Sequence, residues 1–317
     1  MKAMVKRKWL MKYRRLGQTG IIVSAISFGC GPVSGWAALE DRDFQRTVIQ
    51  HAIDCGINWF DTALTYAEGR SELALGRALS ACQRPQKIHV ATKVRMTDES
   101  LRDLRGFVLR SVESSLQRLQ CSQISLLQLH NSVTARRGDQ PTSLTPHDVL
   151  EPGGILSAFL ELKAAGVVAH LGLTGLGDIP SIRSVIESRE FETVQTPYHL
   201  LNPSAGEKVS TDFPEVDYGN QFEHCRRLGM GVFAIRVFAG GALVQREPSA
   251  HTLTTRFFPL DLYQRDLQRA SLLAASDPTE SLSSKAIRFV LNHPAVSSAL
   301  IGFASTEEID IALNGIG

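Results

Sequence analysis

The chain has no stretch approaching the roughly 18 consecutive apolar residues that a membrane-spanning helix requires. Its five cysteines (Cys30, Cys55, Cys82, Cys121, Cys225) include no C-x-x-C pair. That scatter leaves zinc ribbons, redox dithiols and a disulfide framework without support and fits a reducing cytoplasm, so no metal site is expected. No fixed-period repeat, low-complexity run or proline-rich linker divides the 317 residues, and 25 glycines with 13 prolines exclude a collagen-like or disordered composition. Acid is missing from residues 1–15, which carry Lys2, Lys6, Arg7, Lys8, Lys12, Arg14 and Arg15. The other 27 basic and 32 acidic residues leave the body at −5, against a nucleic-acid partner. The basic start lacks the apolar core and cleavage site of a secretory leader and reads as a solvated, disordered extension over 1–12, ahead of one domain over 13–317.

What is present is alternation. Apolar runs at 26–32, 57–63, 88–94, 124–130, 168–174, 193–199, 231–238 and 297–303 are near-continuous, as parallel strands buried on both faces should be. Amphipathic segments separate them. Residues 43–55 space Phe44, Val48 and Ala52 by four, and 101–119 put Leu101, Leu104, Val108, Val112, Leu116 and Leu119 on one face. Further helical patterns fall at 71–81, 154–165, 181–188, 219–228, 262–274, 281–292 and 305–313. Eight strands each followed by a helix predict an α/β fold, a single (β/α)8 barrel. A doubly wound sheet would alternate similarly, but the first strand ends in GCGPVSG rather than a phosphate-binding G-x-G-x-x-G. YRRLGQTGIIVSA (13–25) predicts an N-terminal β-hairpin that could plug the barrel's lower mouth, and the long irregular stretches 131–153, 200–218 and 239–261 become strand-to-helix loops on the C-terminal face.

The strand ends carry the chemistry. Asp61 closes the second strand with Tyr66 five residues on, Lys93 lies near the end of the third and His130 ends the fourth. Free tyrosine titrates near ~10 and is a poor proton donor or base at neutral pH unless a neighbouring ammonium favours the phenolate. An acid to hold that ammonium and an imidazole to orient a substrate oxygen complete a site that moves a proton on and off oxygen. Singly, each residue has a bland reading as a helix cap, loop aromatic, ion-pair partner or core histidine; the conjunction is what points to catalysis.

The run FDTALTYAEGRSELALGRAL (60–79) resembles the signature of the aldo-keto reductases, and the likeness extends from Leu16 to about Leu313 through LGQTGIIVSAISFG, ATKV and LLQLH. The resemblance implies a (β/α)8 barrel that binds NADP, less often NAD, and transfers hydride between nicotinamide and a carbonyl carbon. Asp61, Tyr66, Lys93 and His130 match the family's tetrad, with Tyr66 as general acid/base, Lys93 favouring its phenolate, Asp61 pairing Lys93 and His130 orienting the carbonyl.

For the cofactor, the resemblance implies contacts from Thr174 and Gly175, where the family has Ser-Asn, and from Gln195. In AIRVFAGGAL, Ile235 replaces the family's stacking aromatic, Phe238 is a substitute, Arg236 is a phosphate contact, and Gly240 and Gly241 admit the pyrophosphate. IGFASTEEIDIAL supplies Gly302, Ser305 and Glu308 at the adenosine end. No Lys or Arg follows Arg288, and acids there suit a free ribose hydroxyl, which leans towards NAD or dual use. Trp36 and Asn131 are expected in the substrate pocket. The expected activity is a cytoplasmic NAD(P)-dependent carbonyl/alcohol oxidoreductase acting on an aldose or small aldehyde, with no nucleic-acid or membrane partner. The alternative is a nicotinamide-binding sensor or accessory subunit with little turnover.

Overall fold

The structure, a computed structural model, describes residues 11–316. All eight expected strands form: β3 (Ile26–Gly29), β4 (Trp59–Asp61), β5 (His89–Val94), β6 (Ile124–Leu129), β7 (Val168–Thr174), β8 (Thr193–Pro197), β9 (Gly231–Ile235) and β10 (Val296–Gly302). They pair in parallel in chain order, and β10 returns to β3 to close the barrel. Helices α1 (Arg42–Asp54), α2 (Arg70–Ala81), α3 (Leu104–Leu119), α5 (Ile155–Ala164), α6 (Ile179–Glu187), α7 (Gln221–Leu228), α10 (Leu282–Asn292) and α11 (Thr306–Asn314) lie between or after the strands. Their apolar stripes pack on the outer face of the barrel in one continuous core. The long loops add α4 (Pro146–Leu150), α8 (Ala250–Thr254) and α9 (Leu260–Ser276). No helix among the described residues is long and apolar enough to cross a membrane.

The predicted hairpin is β1 (Tyr13–Arg15) paired antiparallel with β2 (Ile22–Ser24). Leu16 and Val23, both fully buried, join Trp59, Ala91, Leu126 and Phe233 in an apolar cluster that fills the barrel's lower mouth. A strand pleat repeats every two residues, so the next inward positions up the same strands are Asp61, Lys93, Gln128 and Ile235. An apolar floor thus carries a largely polar layer above it, as that alternation dictates. The folded unit begins earlier than expected: Met11 is 8% exposed, Ala25 N–H donates to the Lys12 carbonyl, and Lys12 Nζ reaches Ile316 O at 3.1 Å. The rest of the basic extension lies outside the described residues.

Candidate active site

Asp61, at the end of β4, is 2% exposed and accepts three donors: Lys93 Nζ, Gln128 Nε2 at 3.0 Å and Gln195 Nε2 at 2.5 Å. Lys93, on β5, is 1% exposed and also donates to Thr62 O at 2.8 Å. Burial works against its charge, but Asp61 and then Tyr66 outweigh that, and the ammonium is held above its ordinary range. Lys93 Nζ lies 3.3 Å from the Tyr66 hydroxyl. His130, just past β6, stands edge-on to the Tyr66 ring with centroids 5.6 Å apart. Burial first, then Lys93 and Arg95, push its imidazole well below the usual histidine range, so it is neutral at pH 7. Thr65 Oγ1 lies 3.3 Å from Nδ1, which leaves Nε2 for a ligand.

Local sequence explains how Tyr66 returns over the barrel. Ala67 and Glu68 adopt left-handed conformations with φ of 49° and 56°, reversing the chain after Tyr66. The following Ser71 and Glu72 are scaffolding. Ser71 Oγ donates to Cys30 O at 2.9 Å and meets Thr62 Oγ1, and buried Glu72 accepts from Thr92 Oγ1 and from Arg118 Nε at 2.7 Å. These bonds pin the loop to α3 and to the strands on either side.

The tetrad opens into a cavity of about 570 Å³ that runs over the barrel's C-terminal end. Its wall includes Thr174, Gln195, Ile235, Arg236, Phe238, Gly240, Gly241 and Gly302, all but Ile235 counted among the expected cofactor contacts. Gly240 and Gly241 have φ of 73° and 110°, backbone that a side chain would strain, so their peptide groups face the cavity unobstructed. Arg236 has no carboxylate partner among the described residues; its Cζ lies 3.9 Å over the Phe258 ring, and burial lowers its pKa. An unpaired, desolvated guanidinium in the wall fits an anionic ligand such as a dinucleotide pyrophosphate.

Other expectations need correction. Trp36 is fully buried, stands edge-on to Phe28 and donates Nε1–H to Gln45 O at 3.3 Å; it packs below the loop and lines no part of the cavity. Asn131 is a clip instead of a substrate contact, bonding both backbone groups of Met96 at 2.8 Å and the Thr142 carbonyl. Gly175 faces away from the cavity. Its N–H donates to Gln195 O at 2.7 Å, and a Cβ there would meet Thr196 Oγ1 and Gln221 Oε1 at 2.3 Å, so no side chain fits. Thr174 spends its hydroxyl proton on Leu129 O at 3.1 Å, and the Gln195 amide nitrogen is committed to Asp61. Ser305 caps α11, accepting from Glu308 N–H.

Glu308 is not a free acid. It accepts from Ala304 N–H at 2.7 Å and pairs with Arg246 at 3.1 Å, while Arg246 also donates to Ser34 O at 3.1 Å. Arg246 lies in the β9–α9 connection, so a cation reaches the end of the groove where the sequence of β10 and α11 offers only acids. Sequence reasoning also passed over Gln128, Arg95, Phe257 and Phe258. Gln128 and Arg95 lie two residues from recognised positions on their strands, a signal that was available. The phenylalanines lie in an irregular loop with no periodicity to read.

The Aldo/keto reductase family matches residues 25–315. L-galactose dehydrogenase of Arabidopsis thaliana is 25% identical, with 95% of this chain and 86% of the relative covered. Pyridoxal 4-dehydrogenase of Microbacterium luteolum is 27% identical, covering 93% and 90%. Among solved structures, the holo form of a Bacillus halodurans aldo-keto reductase superposes with a TM-score of 0.70 at 25% identity, covering 97% of this chain and 91% of that one.

Proposed function

Because the chain belongs to the Aldo/keto reductase family, we propose that it is a cytoplasmic NAD(P)-dependent oxidoreductase that interconverts a carbonyl and an alcohol. The observation that carries this reading is the Tyr66 hydroxyl 3.3 Å from a buried Lys93 ammonium, itself paired with Asp61, at one end of a cavity that also holds an unpaired arginine. A sensor relieved of chemistry has no need to bury a lysine–aspartate pair beneath a phenol.

Arg236 would face the pyrophosphate, Gly240, Gly241 and Gly302 would let the dinucleotide approach the backbone, and Ile235, Phe238 and Thr174 would flank the nicotinamide. Bound there, the nucleotide supplies or accepts the hydride. In the reductive direction Tyr66 gives its hydroxyl proton to the carbonyl oxygen, and the adjacent Lys93 ammonium stabilises the phenolate left behind. Asp61 keeps Lys93 charged where burial would otherwise discharge it. Neutral His130 donates an N–H to the same oxygen and orients it. Oxidation returns the proton to Tyr66.

At the adenosine end, the Arg246–Glu308 pair accommodates either nucleotide. Glu308 can accept from a free ribose hydroxyl, and Arg246 can turn to a 2′-phosphate, so dual use is favoured. The relatives named for L-galactose and pyridoxal direct the substrate search to aldoses and small aldehydes. The test is nicotinamide absorbance, with NADH or NADPH and a panel of aldehydes, and with NAD or NADP and a panel of aldoses. Turnover that disappears in Tyr66→Phe supports the assignment; nucleotide binding without turnover would favour a sensor.

A further inference from the structure

The proton relay makes no use of Arg95. It follows Lys93 by two residues, so the pleat sends both side chains towards the barrel's open end, and Arg95 lines the cavity beside Tyr66 and His130. Its Nη2 donates to His130 O at 3.2 Å, and its Cζ lies 4.8 Å over the Phe257 ring. The buried Nε finds no acceptor, and Tyr66 rather than any carboxylate is the electrostatic neighbour of the guanidinium among the described residues. Phe257 covers the flat face of the guanidinium, and of its in-plane groups Nη2 is held by His130 O while Nε is left without a partner. Phe258 covers Arg236 in the same way, so two consecutive phenylalanines each cover a guanidinium of the cavity wall.

Cation–π contact recovers only part of what partial withdrawal of a cation from water costs. The site therefore holds an uncompensated positive charge that an anion would neutralise. The acids in the cavity wall do not answer it: Asp61 is taken by Lys93, Gln128 and Gln195, and Glu247 is exposed at the rim. A pocket for a neutral polyol would be fitted with amide and hydroxyl groups instead of an unpaired guanidinium. Arg236 faces the dinucleotide in the proposed reading; Arg95 is instead bonded to the backbone of His130, the residue whose imidazole meets the reacting oxygen in that reading.

We propose that Arg95 recognises a carboxylate on the substrate, so that the enzyme reduces an aldehyde or ketone bearing an acid group a few carbons from the carbonyl and, in reverse, oxidises the matching hydroxy acid. The assignment of the reacting carbon rests on the hydride-transfer reading; the anion site does not.

The test compares succinic semialdehyde with butanal, four-carbon aldehydes that differ in the terminal carboxylate. The wild-type protein favours the acid by about tenfold or more in kcat/KM, Arg95→Met brings the ratio to within about twofold of unity, and Arg95→Lys is intermediate. A wild-type ratio near one, or one that Arg95→Met leaves intact, overturns the proposal. Calorimetric titration with succinate provides a readout independent of turnover: binding weakens about tenfold or more in Arg95→Met and is partly restored in Arg95→Lys. Equal binding by all three folded proteins also overturns it. Succinate binding through Arg95 without reduction of either aldehyde would sink hydride transfer and keep the anion site; butanal reduced as well as the acid would do the reverse.

Discussion

The Lys93 ammonium lies 3.3 Å from the Tyr66 hydroxyl and is fixed there by two oxygens, an Asp61 carboxylate oxygen and the Thr62 carbonyl. The lysine cannot swing away without separating a buried carboxylate from its counter-charge, so the phenol is held beside a cation. This is electrostatic preorganisation built from one ion pair and one backbone carbonyl.

Tyr66→Phe removes the transferable proton and little else. Turnover should fall by about 10²–10⁴-fold, while nucleotide affinity measured by fluorescence titration stays within about twofold. A loss of affinity in step with turnover would mean that Tyr66 shapes the nucleotide site.

Asp61→Asn leaves Lys93 charged and buried with its counter-charge gone. Breaking a buried pair in this way costs about 3–5 kcal/mol, a drop in Tm of roughly 5–8 °C by calorimetry for a chain of this length. Replacing both partners, Asp61→Leu with Lys93→Met, should recover much of that stability without recovering turnover. A double variant no more stable than Asp61→Asn would show that the pair contributes through Gln128 and Gln195 instead of through charge.

The Arg246–Glu308 pair predicts opposite shifts in nucleotide preference. Arg246→Ala removes the cation and lowers the kcat/KM ratio of NADP to NAD by about tenfold; Glu308→Gln releases Arg246 and raises it. An unchanged ratio in both variants would remove this pair from nucleotide selection.

Stability should fall on mild acidification. Burial pushes His199 down to about 3 and His89 to about 4, and His130 lies well below its ordinary range. Unfolded histidine binds a proton near pH 6.5, so below that pH the unfolded chain takes up protons that these folded sites refuse, and stability present above pH 6.5 is lost. Asp266 has the opposite sign: burial and Glu215 raise it to about 6, so the folded protein keeps a proton that the unfolded carboxyl releases. His251 is lowered by burial as well, so four depressed histidines against one raised aspartic acid leave a net loss of stability between pH 6 and 5, measurable by urea unfolding at stepped pH. A flat profile over that interval would show that the histidines are protonated in the folded state.

The tetrad and the barrel were legible because both are written in short-range periodicity. Asp61, Lys93 and His130 each sit at or just past the carboxyl end of an apolar run, and parallel strands in chain order bring such ends to one rim. The hairpin was legible for a similar reason, since Leu16 and Val23 flank a short polar turn. Trp36 and Asn131 were misplaced because a residue at the mouth of a barrel faces the cavity or the packing beneath it according to the path of its loop, which residue type does not reveal. Gly175 departs from the family pattern for a steric reason that appears only once Gln221 of α7 is seen against it.

Strand order, the apolar floor, the polar layer above it and the positions of Asp61, Lys93 and His130 at one rim are local properties of the chain: a two-residue pleat and a closed parallel sheet are enough to derive them. The pairing of Arg246 with Glu308, the phenylalanines seated on Arg95 and Arg236, and the lack of a carboxylate paired with Arg95 among the described residues are properties of long loops folding across the barrel mouth. Those contacts join residues far apart in sequence with no repeating pattern between them. Which cation is neutralised and which is left for a ligand was therefore settled only when the loops packed.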